Sequence, residues 1–166
     1  MKFELPIVKD SSRNWRFAGF TLIELLVVIA ILGILAAAVL VAINPVKRSQ
    51  QARDSARKSD IGQLATALQA YSTTPGAGNY PGTATSGVVT AQLTALTASG
   101  DLKRIPDDSN SSQHYTYTVS VTSGIGNNAA VYAQLEAPTG TTGFWCWRSS
   151  VGVASEVTAA SLCIAP

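Results

Sequence analysis

Residues 25–43, LLVVIAILGILAAAVLVAI, run for nineteen positions without a charge. As a helix they reach about 28 Å at 1.5 Å per residue. The hydrocarbon core of a bilayer is ~30 Å thick. The run exceeds the roughly 7–15 apolar residues of an ordinary secretory signal, and no A-x-A-like site closes it. It is expected to stay in the mature protein as a membrane segment. One carboxylate, Glu24, stands at its N-terminal edge. A carboxylate at the centre of a membrane helix costs roughly 2.5–3.5 kcal/mol. Glu24 therefore either reaches interfacial water or has a partner.

Charge alone does not orient this segment. Lys2, Lys9, Arg13 and Arg16 precede it, and Lys47, Arg48, Arg53, Arg57 and Lys58 follow it. With bases on both flanks, the positive-inside rule does not choose a side. Beyond residue 60 the chain holds three Lys/Arg against five Asp/Glu, so no basic face supports nucleic-acid binding. The 166 residues suffice for one domain and a tail. Cys146 and Cys163 have sixteen residues between them. They suit a disulfide closing a terminal loop, worth about 3 kcal/mol in the chain-entropy model. Such a bond needs an oxidising compartment. The alternative is a pair of buried free thiols.

The stretch RFAGFTLIELLVVIAILGIL, residues 16–35, resembles the class III signal of type IV pilins and type II secretion pseudopilins. It has a short basic leader, Gly19, the aromatic Phe20, then Thr21, with Glu24 four residues after the aromatic and an unbroken apolar run. The resemblance implies that a prepilin peptidase cuts between Gly19 and Phe20 and N-methylates Phe20. It also implies that Thr21 and Glu24 serve assembly. Cleavage would leave eight bases and eight acids. Glu24 would neutralise the terminal amine of a neighbouring Phe20. Paired charges remove the penalty each carries alone, and a slipped subunit would leave both unpaired.

The resemblance further implies an α+β, pilin-like fold, with a long N-terminal helix under a small antiparallel sheet. The expected parts are a leader (1–19), a transmembrane or filament-core helix (20–44), an amphipathic half-helix (45–71) and a head (72–166). Asn44-Pro45 suits an N-cap followed by a first helical residue, so the helix kinks there or ends and restarts. Relatives carry their helix-breaking Pro about one turn earlier, near Val41. Unbroken from Phe20 to Tyr71, it would be roughly 78 Å long. Ile61, Leu64, Leu68 and Tyr71 recur at helical spacing. Ala52, Ala56 and Ala65 offer small surfaces for close approach. Asp54 and Lys58 form an i,i+4 pair worth a few tenths of a kcal/mol. The charges from Lys47 to Asp60 read as a solvated face or as subunit contacts.

Within the head, residues 72–87 read as a Gly/Pro/Ser/Thr loop. A short helix is expected over 88–99, with Val89, Leu93 and Leu96 on one face and Gly100 at its end. Asn79-Tyr80-Pro81 and residues 100–107 resemble the helix-to-sheet region of major pseudopilins. Period-two alternation predicts strands through Tyr115, Tyr117, Val119 and Val121, and through Val131, Ala133 and Leu135. FWCWR, 144–148, reads as a third. Gly124, Gly126, Asn127 and Asn128 suit one turn, and Pro138, Gly140 and Gly143 the next. Together they make an antiparallel meander (114–150), one face of which can pack on the amphipathic half-helix. The tail, 151–166, reads as a loop that Cys146–Cys163 would pin. The typical pseudopilin lacks that bridge, which tilts the resemblance toward a pilin.

No catalytic arrangement emerges. His114 is the sole histidine, with no nucleophile–base–carboxylate pattern around it. Asp107, Asp108 and Asn110 are hard-oxygen candidates for calcium, which major pseudopilins bind in their heads. But Ca²⁺ takes six to eight oxygens, and turn chemistry explains these residues more simply. No cofactor is expected. Trp145 and Trp147 are candidates for a sticky surface, with at least one expected beside the cysteines.

The leading expectation is a structural subunit of a type IV pilus-like filament. Its partners would be further copies of itself, other minor pilins, prepilin peptidase, an inner-membrane assembly platform and lipid. The precursor would sit in the inner membrane with its head outside the cytoplasm, and the assembled form at the cell surface. The alternatives are a major pseudopilin of type II secretion and an uncleaved single-span membrane protein with a binding head. Adhesion, motility and DNA uptake all remain open.

Overall fold

The computed structural model describes residues 19–74, 77–82, 86–122 and 125–164. The leader bases Lys2, Lys9, Arg13 and Arg16, and turn residue Gly124, lie outside them. The chain divides into two compact units at Ile43/Asn44.

The first unit is helix α1, Leu22–Ile43. None of its residues is buried. Leu, Ile, Val and Ala all round the helix leave no polar face. Length and composition suffice for a membrane crossing.

Helix α1 stops at Asn44, whose φ of 45° and ψ of 79° are left-handed. Pro45 drives this, because its ring disfavours the α conformation in the residue before it. Asn tolerates the left-handed region better than most residues. Asn44 then caps α2, Pro45–Thr73, with Oδ1 accepting the Lys47 N–H at 3.2 Å. The helix ends at Ile43 and restarts at Pro45.

In the second unit, α2 packs on a five-stranded antiparallel meander, in the order β1 (Gly87–Val88), β2 (Thr116–Thr122), β3 (Ile125–Gln134), β4 (Phe144–Arg148) and β5 (Ala154–Val157). Ile61, Leu64, Ala65 and Leu68 form the buried stripe of α2. They meet Tyr115, Tyr117, Val119, Val131, Ala133 and Trp147 in one core. Each fully buried aliphatic contributes about 1.5–3 kcal/mol. Ala65 is thus used inside the subunit, while Ala52 and Ala56 stay exposed. Trp147 is buried, with Tyr80 edge-on at 6.4 Å between centroids.

Four details differ from the sequence reading. The helix expected at 88–99 is two short helices, α3 (Val89–Gln92) and α4 (Thr94–Ala98), hinged at Leu93. Val89, Leu93 and Leu96 are nevertheless all buried, and Gly100 takes φ +85°. Gly126, Asn127 and Asn128 lie in β3, not in the turn. Ser120 pairs with Asn128 and Val121 with Gly126, so Asn127 is the extra residue of a bulge. The tail is not a plain loop, since it holds β5 and a 3₁₀ helix, Ala160–Cys163. Finally, Asp54 does not serve Lys58. Its carboxylate is buried and bound to Arg57 and to the backbone of residues 136 and 137. The Lys58 ammonium instead lies 4.8 Å from the centroid of the Trp145 ring.

Candidate processing and assembly site

Gly19 and Phe20 precede α1 in non-helical, exposed chain. A Cβ added at Gly19 would meet no atom of the described residues within 4 Å, so their packing does not require glycine there. Thr21 caps α1. Its N–H and its hydroxyl each donate to Glu24 Oε2 at 2.8 Å, and its Oγ1 accepts the Glu24 N–H at 3.3 Å. This is a reciprocal capping box, Thr-x-x-Glu. It satisfies two amide donors that a helix start otherwise leaves open. Both bonds to the carboxylate fall on Oε2, and among the described residues none falls on Oε1. The Thr-x-x-Glu spacing was readable in the sequence, but the resemblance drew attention only to a distant amine.

The second cluster was not foreseen. Arg57 is 1% exposed and binds three carboxylates. Its Nε lies 2.5 Å and its Nη2 3.0 Å from the two oxygens of Asp108. Nη1 donates to Asp54 at 2.7 Å, and Nη2 to Glu136 at 2.6 Å. Arg53 also binds Glu136, through Nε at 3.0 Å and through Nη2. Asp54 then accepts the N–H groups of Glu136 and Ala137 at 2.9 and 2.8 Å. One α2 surface is thereby fastened to the loop after α4 and to the chain leaving β3. Hydrogen bonds from Arg53 hold the Glu136 carboxyl down at about 2. Arg57 guanidinium bonds lower Asp108 against its burial, and the bond to Asp108 pushes Arg57 up. Tyr115 adds a further link, its hydroxyl donating to Asp60 at 2.7 Å.

This cluster claims one of the calcium candidates, because both Asp108 oxygens face Arg57. Asp107 Oδ1 accepts the Asp108 N–H at 2.9 Å and lies 3.2 Å from His114 Nδ1. Asn110 Oδ1 accepts the Ser112 N–H at 3.1 Å. Asp107 and His114 are exposed, and no nucleophile is hydrogen-bonded to the imidazole among the described residues.

Cys146 and Cys163 are both buried and are not joined in this structure. Each thiol is the chief influence on the other, which holds Cys146 below and Cys163 above the ordinary thiol range. Trp147 belongs to the core against α2, so its neighbour Cys146 faces the other side of the sheet. The 3₁₀ helix therefore closes over the sheet face opposite α2. Ala130, Cys146 and Cys163 form a small buried group there, outside the main core.

Residues 16–40 match the family model of the prokaryotic N-terminal methylation motif. This is the precursor signal of type IV pilins and pseudopilins, structural proteins that a prepilin peptidase processes and that polymerise into filaments. No curated protein and no solved structure matches the chain significantly.

Proposed function

We propose that the chain is a structural subunit of a type IV pilus-like filament, cleaved between Gly19 and Phe20 and methylated on Phe20. The observation that carries this is α1, a 22-residue apolar helix with no buried residue, opening on a Thr21–Glu24 box inside the methylation motif. Such a helix needs a cover on every side. Lipid supplies it for the precursor, and the α1 helices of other copies supply it in the filament. Oε1 of Glu24 is available to a neighbour's Phe20 amine while Oε2 keeps the cap. That would set axial register.

Cys146 and Cys163 are proposed to form a disulfide once the head is outside the cytoplasm. Their placement as buried neighbours supports this, and it favours the pilus over a secretion pseudopilus. The test is immunodetection in sheared surface fibres. Long fibres containing the chain are expected, with loss of fibres when the prepilin peptidase is inactive. A chain confined to short periplasmic assemblies would favour the pseudopilin.

A further inference from the structure

The five cations of α2 fall into two groups. Arg53 and Arg57 are spent on Glu136, Asp54 and Asp108, and Lys58 covers Trp145. Lys47 and Arg48 are exposed and make no ion pair among the described residues. They sit in the first turn of α2, which contains no acid. Positive charge is disfavoured at a helix N-terminus, so local helix physics does not account for them. They lie four and five residues after Ile43, the last residue of α1. Four residues of chain span at most roughly 14 Å, whatever the angle between the two units. Val46, just before them, is also exposed. A side chain that pairs an aliphatic stem with a cationic head suits a bilayer interface.

From this split we infer that Lys47 and Arg48 bind anionic phospholipid headgroups while the subunit is held in the membrane. The inference rests on the membrane reading of α1. The phosphate supplies the counter-charge that neither residue finds among the described residues, where Lys58 at least has the Trp145 ring. It would hold the start of α2 at the interface and keep the head from drifting along the membrane normal.

The test uses the full chain in phosphatidylcholine vesicles carrying a trace of spin-labelled phosphatidylglycerol or spin-labelled phosphatidylcholine. Electron spin resonance reads the motionally restricted fraction of each. The leader's bases are common to all variants, so the readout is the difference between variants. The charge-matched control is K103Q/R104Q, because Lys103 and Arg104 line a groove beside residues 59–70 of α2. That is more than about 15 Å along the helix from Arg48. In K47Q/R48Q the preference for phosphatidylglycerol is expected to fall by roughly half or more, while the control keeps it. Equal preferences in wild type and K47Q/R48Q, or an equal loss in the control, would overturn the proposal. Carbonate extraction is run alongside. Release of the chain from the vesicles would overturn the membrane reading itself, and with it this inference.

Discussion

Arg57 and Asp108, fifty-one residues apart, meet in a two-pronged ion pair, with Nε 2.5 Å and Nη2 3.0 Å from the two carboxylate oxygens. The planar guanidinium fits a carboxylate this way, and a lysine does not. Breaking a buried pair by removing one partner costs about 3–5 kcal/mol, because the other charge stays buried and unpaired. Arg57→Ala strands Asp54 and Asp108 and loosens Glu136. It should lower head stability by an amount in that range. Arg57→Lys should recover only part of it. Denaturant unfolding followed by tryptophan fluorescence checks this. A loss below about 1 kcal/mol, the scale of an exposed pair, would show that the cluster does not hold the sheet.

The same cluster sets an acid limit. Glu136 is held at about 2 and Asp108 below its ordinary value, while unfolded Glu and Asp titrate near ~4.3 and ~3.9. A depressed carboxylate stabilises the fold fully above its unfolded pKa and loses that contribution as pH falls toward its folded pKa. Stability should therefore be flat above about pH 5 and decline from there toward pH 2. Glu136→Gln should make that decline shallower. Parallel pH profiles for wild type and variant would remove Glu136 from the account.

At the start of α1, cap and charge can be separated. Glu24→Gln keeps an oxygen that can accept from Thr21 but removes the charge. Thr21→Val keeps the charge and removes the hydroxyl from the cap. Losing a cap costs typically about 1 kcal/mol. Glu24→Gln should abolish filaments while leaving the monomer's helix content unchanged in detergent. Thr21→Val should fray the helix start and leave some assembly. Normal filaments from Glu24→Gln would mean that Glu24 serves the cap alone.

Oxidised protein should carry a Cys146–Cys163 bond, read as a mass two hydrogens lower than the reduced form. Its loss in Cys163→Ser should cost about 3 kcal/mol. Proteolysis should then begin in the tail that carries β5. A variant as stable and protease-resistant as the oxidised wild type would assign these thiols to packing only.

Sequence reading reached the parts whose signal is local. Ile61, Leu64 and Leu68 announce the helix face, and Tyr115, Tyr117 and Val119 the strand face, because burial imposes the period of each element. It missed β5, where Ala154–Val157 pairs with β4 through backbone groups and its short, mixed side chains carry no pattern. Since charged residues are almost never fully buried unless paired, it placed Asp54 and Arg57 on a solvated face or in subunit contacts, whereas both are buried inside the head. Their partners, Asp108 and Glu136, stand 51 to 82 residues away, and no spacing rule connects them. The Cys146 and Cys163 neighbourhood was legible from count and position alone.

The most direct measurement is the N-terminal peptide mass of the membrane-fraction protein, from a host with an active prepilin peptidase. The account predicts a chain beginning at N-methyl-Phe20. A chain that keeps Gly19 and the residues before it, beside a peptidase shown to be active, would contradict it. Glu24 would then have no amine to pair with in a neighbouring subunit, and the register mechanism would fail.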